Sequence, residues 1–303
     1  MTTIKDFSFP SSGKGEIHAR CWMPENKPVA VVQLVHGIAE HVQRYDDFAS
    51  FLCEQGYLVV AQDHMGHGKS TVVKGYFHGG WFSAVKDTYH LLCETRVSHP
   101  GIPYFLFGHS MGSFLTRTIL AEYPDSGIHG AIICGTGWMP EAVLAAGKGL
   151  ANTVCKLKGE ETPSKLLQSM MFGSYNKRIE HPRTAFDWLT RDKEIVDRYI
   201  ADPDCGFIPS AGLVRDMLSG MQYNQKPETL AKMNPEIPVL FVAGGDDPVG
   251  NYGSGVKQTA EAFRNAGVKN VMSKLYPLCR HEILNEINKK EVYEDIINWM
   301  QNA

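Results

Sequence analysis

The sequence predicts an α/β chain: a mainly parallel sheet covered by helices and interrupted by one long helical insertion. Three observations lead there. Continuous apolar runs at 29–35 (VAVVQLV), 57–62 (YLVVAQ), 103–107 (PYFLF) and 238–242 (PVLFV) read as strands buried on both faces. Segments of helical spacing stand between such runs, the alternation that builds parallel sheets. From about residue 138 to 230 that rhythm gives way to helical segments with no convincing apolar strand.

Taken in order, 15–22 reads as a strand and 29–35 as the next. Residues 45–54 form a helix, with Phe48, Phe51 and Leu52 on one side. Strand 57–62, helix 84–97, strand 103–107, helix 111–122 and strand 131–134 follow. After the insertion come strand 238–242, helix 258–265, strand 271–276 and helix 292–300. The expected organisation is a core in two pieces, 1–137 and 231–303, with a helical cap at 138–230. Loops beyond about 15 residues are usually functional lids or linkers, and the tryptophans, leucines and methionines of this one favour a folded cap.

Composition narrows the function class. With 43% hydrophobic residues the chain can bury a sizeable core, and its net charge of −3 gives no electrostatic reason to bind nucleic acid. The N-terminal stretch lacks a basic start followed by an apolar run, and no segment reaches about 18 uninterrupted apolar residues. The seven cysteines are scattered, with no Cys-x-x-Cys pair. Free thiols and a cytoplasmic location are therefore expected, without a disulfide framework, metal or organic cofactor.

The chemistry begins at Gly108-His109-Ser110-Met111-Gly112, directly between the strand PYFLF and the helix MGSFLTRTIL. In that context a Gly-x-Ser-x-Gly pattern is a nucleophile elbow. The turn is too sharp for bulky side chains at Gly108 and Gly112, and it holds Ser110 at a helix N-terminus. The backbone N–H of Met111 then points to where negative charge develops on a bound acyl oxygen.

A serine hydroxyl needs a base, and on a strand–turn–helix elbow of this kind the order is Ser, then Asp or Glu, then His. After His129 only His181 and His281 remain; His181 lies in the insertion, so His281 is the expected base. The acid should end the strand PVLFV, where Asp246 and Asp247 compete. Asp247 precedes Pro248, which pushes it toward extended backbone, and is the favoured choice, with Asp246 left as the alternative. The loop after VAVVQLV reads HGIAEH. It should supply a second oxyanion donor, the N–H of Ile38, with Gly37 allowing close approach.

Several residues imitate other chemistries. Gly68-Lys69-Ser70 resembles the end of a phosphate-binding loop, but Asp63 stands where glycine is needed. His64 and His67 lack an evident third metal ligand. His36 and His41 precede the serine and are expected to be structural or at the rim of the site.

With HGIAEH at 36–41, DHMGHGKS at 63–70, GHSMGS at 108–113, GGDDPVG at 244–250 and RHEILNE at 280–286, the chain resembles the monoglyceride lipase and lysophospholipase family of α/β-hydrolases, grouped with serine aminopeptidase-like hydrolases. The resemblance runs from about residue 15 to 300. It implies the α/β-hydrolase fold, a triad of Ser110, Asp247 and His281, oxyanion donors at Ile38 and Met111, and a cap lining an acyl tunnel. The substrate it implies is a small-molecule or lipid ester, such as a monoacylglycerol or lysophospholipid. Transient membrane-surface contact through the cap is left open. An aminopeptidase or acyltransferase with the same triad is the alternative; a non-catalytic ligand-binding protein is the minor one.

Overall fold

The computed structural model describes residues 2–303. Eight strands form one sheet in the order β1-β2-β4-β3-β5-β6-β7-β8. They span Thr3–Pro10 (β1), Glu16–Met23 (β2), Ala30–Val35 (β3), Tyr57–Gln62 (β4), Tyr104–His109 (β5), Gly130–Cys134 (β6), Val239–Gly244 (β7) and Val271–Tyr276 (β8). The β1–β2 and β2–β4 pairs are antiparallel, and every pair from β4 to β8 is parallel. This is the α/β-hydrolase architecture expected from the sequence.

The buried runs explain the layering. Along β3, Val31 and Val35 face one apolar layer while Ala30, Val32 and Leu34 face the other. In β5, Tyr104 and Leu106 alternate with Phe105 and Phe107 in the same way, the period-two geometry of a strand covered on both sides. Gln33 is the polar exception in β3. Its amide donates to the Thr88 carbonyl (2.9 Å) and accepts from the Tyr104 hydroxyl (2.6 Å), which offsets its burial. Helices α1 (Asp46–Glu54), α2 (Trp81–Ser98), α3 (Met111–Glu122), α9 (Ser254–Asn265) and α10 (Lys289–Asn302) flank the sheet.

Between β6 and β7 lie α4 (Glu141–Lys158), α5 (Lys165–Phe172), α6 (Lys193–Ala201), α7 (Ala211–Gln225) and α8 (Pro227–Leu230). The two ends of this stretch are not separate from the core: Leu144 and Ala151 of α4 and Leu213 and Leu218 of α7 share one apolar cluster with Trp81, Phe114 and Leu115. A smaller cluster of Trp188, Leu189, Tyr199 and Cys205 stands apart. No helix among the described residues is long and apolar enough to cross a membrane.

Two features differ from the sequence reading. β1 was not anticipated: its side chains are mostly exposed, so it has no apolar run to announce it, and it is held by antiparallel pairing to β2. Helices α2 and α9 also begin earlier than their apolar spacing suggests, each after a glycine with positive φ, Gly80 (76°) and Gly253 (85°).

Candidate active site

Ser110 stands between the last residue of β5 and the first of α3, at φ 53° and ψ −120°. Such a backbone costs about 1–3 kcal/mol for a residue with a Cβ and persists only because its surroundings fix it. Ser110 N–H donates to the Cys134 carbonyl (3.0 Å), and the N–H and hydroxyl of Ser113 both donate to the Ser110 carbonyl. The glycines are sterically required: a Cβ on Gly112 would collide with the Val35 carbonyl, and one on Gly108 with Thr116 and the Gly112 carbonyl.

His281 and Asp247 meet on the neighbouring loops. Nδ1 of His281 lies 3.0 Å from Oδ2 of Asp247, both side chains buried, while Oδ1 of Asp247 accepts the Val249 N–H at 2.9 Å. Asp246 is exposed instead. Burial works to lower the His281 pKa, but the Asp247 carboxylate outweighs it and the pKa ends above the ordinary value of 6.5. The ring of His109 lies 4.7 Å from that of His281. Burial, then the charge of His281, holds His109 down at about 4, so it is neutral at pH 7.

Gly37 and Ile38 come off the end of β3 beside the serine. A Cβ on Gly37 would lie 3.0 Å from the Ser110 Cβ and 2.7 Å from Glu40 Oε1. The Gly37 N–H donates to that oxygen at 2.6 Å. His36 Nε2 accepts the His64 N–H (2.9 Å), which leaves the proton on Nδ1 to donate to the Gly37 carbonyl (2.7 Å). That carbonyl and the Ile38 N–H share one peptide plane and point opposite ways, so His36 sets the direction of the Ile38 donor. Burial keeps the His36 pKa well below 6.5.

Ser110, His281, Gly37 and Ile38 all border one cavity of about 440 Å³. The insertion supplies Phe172, Phe186, Trp188, Leu189 and Phe207 to its lining. Its polar end was missed by the sequence reading. There Arg44 reaches Glu40 (2.8 Å) and clasps both oxygens of Glu282 (2.7 Å each). Burial opposes ionisation of Glu282, but Arg44 overrides it and holds the carboxyl at about 2. The i,i+4 spacing of Glu40 and Arg44 was a visible signal; their meeting with Glu282 was not.

The imitators fall elsewhere. Asp63 accepts the N–H groups of Val42 and Lys69, filling the turn a phosphate would need. His64 and His67 are buried against Phe77, and His181 is exposed in the insertion. His41 meets two groups with metal-ligating atoms, Asp202 and Cys205, all within 4.8 Å. Burial pushes the Cys205 thiol up. The 3.0 Å His41–Asp202 hydrogen bond makes this a latch between core and insertion.

Known proteins share this fold. Residues 26–288 match the family described as Serine aminopeptidase, S33. The chain belongs to that family. Within it, the chain is a monoglyceride-lipase-like α/β-hydrolase. It is 28% identical to a monoacylglycerol lipase of Mycolicibacterium smegmatis, over 99% of this chain and 98% of that protein. It is 27% identical to the human monoglyceride lipase, over 90% and 85%. A thermostable carboxyl esterase from Bacillus coagulans, solved in complex with glycerol, superposes with a TM-score of 0.92 at 31% identity, covering 100% of this chain and 99% of that one.

Proposed function

We propose that this carboxylic ester hydrolase of the S33 family cleaves monoacylglycerols or lysophospholipids through a Ser110–His281–Asp247 triad. The observation that carries the reading is the single cavity that borders Ser110 and His281 and is lined both by aromatic side chains and by the Arg44–Glu282 pair. An acyl chain suits the first and a hydroxylated leaving group the second. The names of the M. smegmatis and human relatives point the same way. Residues 138–230 act as the cap in this reading.

Ser110 Oγ attacks the ester carbonyl while Nε2 of His281 takes its proton, Nδ1 being held by Asp247. The carbonyl oxygen becomes an oxyanion received by the N–H groups of Ile38 and Met111. The C–O bond to the alcohol breaks, and the proton on Nε2 passes to the leaving oxygen. Water then gives a proton to Nε2 and attacks the acyl-serine. Collapse returns that proton to Ser110 and frees the acid.

An aminopeptidase would want a free carboxylate to receive the substrate amine. Glu160 is paired with Arg215 and Glu141 with Gln222, both away from the cavity, and Glu40 already serves Gly37, Tyr45 and Arg44. These commitments favour the ester. Exposed Val143, Leu157 and Leu166 on α4 and α5 support transient contact of that face with a lipid surface. Vesicle co-sedimentation unchanged by Leu157→Asp with Leu166→Asp would count against it.

The test is acid release from a matched panel by wild type and Ser110→Ala: short and long acyl esters, a monoacylglycerol, a lysophospholipid and an aminoacyl amide. Long-chain monoacylglycerol or lysophospholipid should lead, with Ser110→Ala inactive. Preference for short esters or the amide would sink the lipid reading. Activity surviving in Ser110→Ala would sink the triad.

A further inference from the structure

The loop that carries the Ile38 donor is held from two directions. On the core side, Glu40 takes the Gly37 N–H and His36 donates to the Gly37 carbonyl. On the other side the holding groups belong to the insertion. The Tyr199 hydroxyl and the Gly206 N–H both donate to the Ala39 carbonyl, each at 2.9 Å. Ala39 itself sits at φ 56°, a strained conformation for a residue with a Cβ. Without those two donors nothing on the insertion side would keep it there.

The same segment is anchored to the core beside this loop. Asp202 accepts from His41 at 3.0 Å, and the Tyr199 ring lies under the Arg44 guanidinium at 4.7 Å. Tyr199 is buried, and burial pushes its pKa well above the ordinary value, so the hydroxyl stays a donor.

We infer that Tyr199 is a positioning residue for the oxyanion loop, and that seating of the 199–206 segment on Ala39 completes the oxyanion hole. This rests on the Ser110 ester-hydrolase reading. Tyr199 neither reacts nor lends a proton; it fixes the peptide that follows Ala39, two units past the one that carries the Ile38 N–H, and so holds the strained turn that aims this N–H before substrate arrives. Preorganised donors matter because charge builds on the carbonyl oxygen only in the transition state. The loss should therefore fall on kcat and spare substrate binding.

The experiment compares wild type with Tyr199→Phe, which removes the hydroxyl and keeps the ring over Arg44. The readouts are kcat and KM on a monoacylglycerol, inhibition by a long-chain trifluoromethyl ketone, which forms an oxyanion on Ser110, and binding of an unreactive monoalkyl glycerol ether. Expected are a fall in kcat of about 5- to 20-fold, KM within about twofold, ketone affinity reduced in parallel with kcat, and ether binding unchanged. The fall stays below the 100- to 1000-fold cost of losing a donor outright, because Gly206 still holds Ala39. Unchanged kcat and ketone affinity would overturn the inference, as would a rise in KM alone, which would make Tyr199 a substrate-binding residue. If Tyr199→Phe unfolds, Asp202→Ala loosens the same segment and should lower ketone affinity more than ether affinity; equal losses would overturn the inference. Ser110→Ala run alongside separates the two readings. Full activity there overturns both, whereas an inactive Ser110→Ala beside an unaffected Tyr199→Phe overturns only this one.

Discussion

The proposed nucleophile and the loops around it are held by different parts of the molecule. Ser110 is fixed within the core: by the Cys134 carbonyl of the adjacent strand, by Ser113 one turn along α3, and by glycines that let β3 press against the elbow. The His281 loop is instead tied to the insertion. The N–H groups of His281 and Glu282 donate to the carbonyls of Trp188 (3.3 Å) and Leu189 (2.7 Å), and Arg280 reaches the carbonyls of Asp187 (2.6 Å) and Thr190 (3.1 Å). The oxyanion loop is shared between both. One half of the proposed chemistry is thus a property of local chain geometry, and the other half is a property of how the insertion docks.

Substitutions can break that contrast. The largest effect on rate is expected from Asp247→Asn, which would hold the wrong tautomer of His281: kcat should drop about 10³- to 10⁴-fold with folding intact. A loss under tenfold, measured in steady state, would move the acid to another group. Gly112→Ala should act on the core half as a stability defect. Its methyl meets the Val35 and His36 carbonyls, and backbone cannot yield cheaply, so a cost of about 3 kcal/mol or more is expected as a lower unfolding midpoint. A wild-type midpoint would mean the elbow is looser than described.

Smaller effects test the docked half. Arg280→Ala removes two bonds to the insertion and leaves the core untouched, so kcat should fall about tenfold while the unfolding midpoint barely moves. A large stability loss with normal kcat would reverse the assignment. The smallest effect is in the pH profile. His281 must be neutral to accept the serine proton, and its pKa is raised, so activity is present above that raised pKa and lost as pH falls through it. The acid limb of kcat/KM should have its midpoint above pH 6.5; a midpoint well below would remove Asp247 as the dominant neighbour.

The same contrast explains what could be read from the sequence. The elbow was legible because its requirements are local: a strand, two glycines and a helix start within a few residues. The buried strands announced themselves by apolar runs, and the proline after Asp247 favoured it over Asp246 without excluding the neighbour. The insertion's grip on the site was not legible, because backbone carbonyls of Trp188, Leu189 and Ala39 serve as acceptors whatever side chains they carry. Arg44 with Glu282 and Tyr199 with Ala39 join residues far apart in the chain, and nothing in local spacing pairs them.

The carbonyls of Trp188 and Leu189 have a consequence for the chain as it is made and as it ages. A ribosome delivers Ser110 early and His281 late, so in the proposed mechanism a half-finished polypeptide would hold the serine without its base. After completion, a protease that nicks the exposed stretch near His181 would cut the tether holding Trp188 and Leu189 against His281. Ser110, Asp247 and His281 would all survive such a cut, and the proposed mechanism predicts a slower rate all the same.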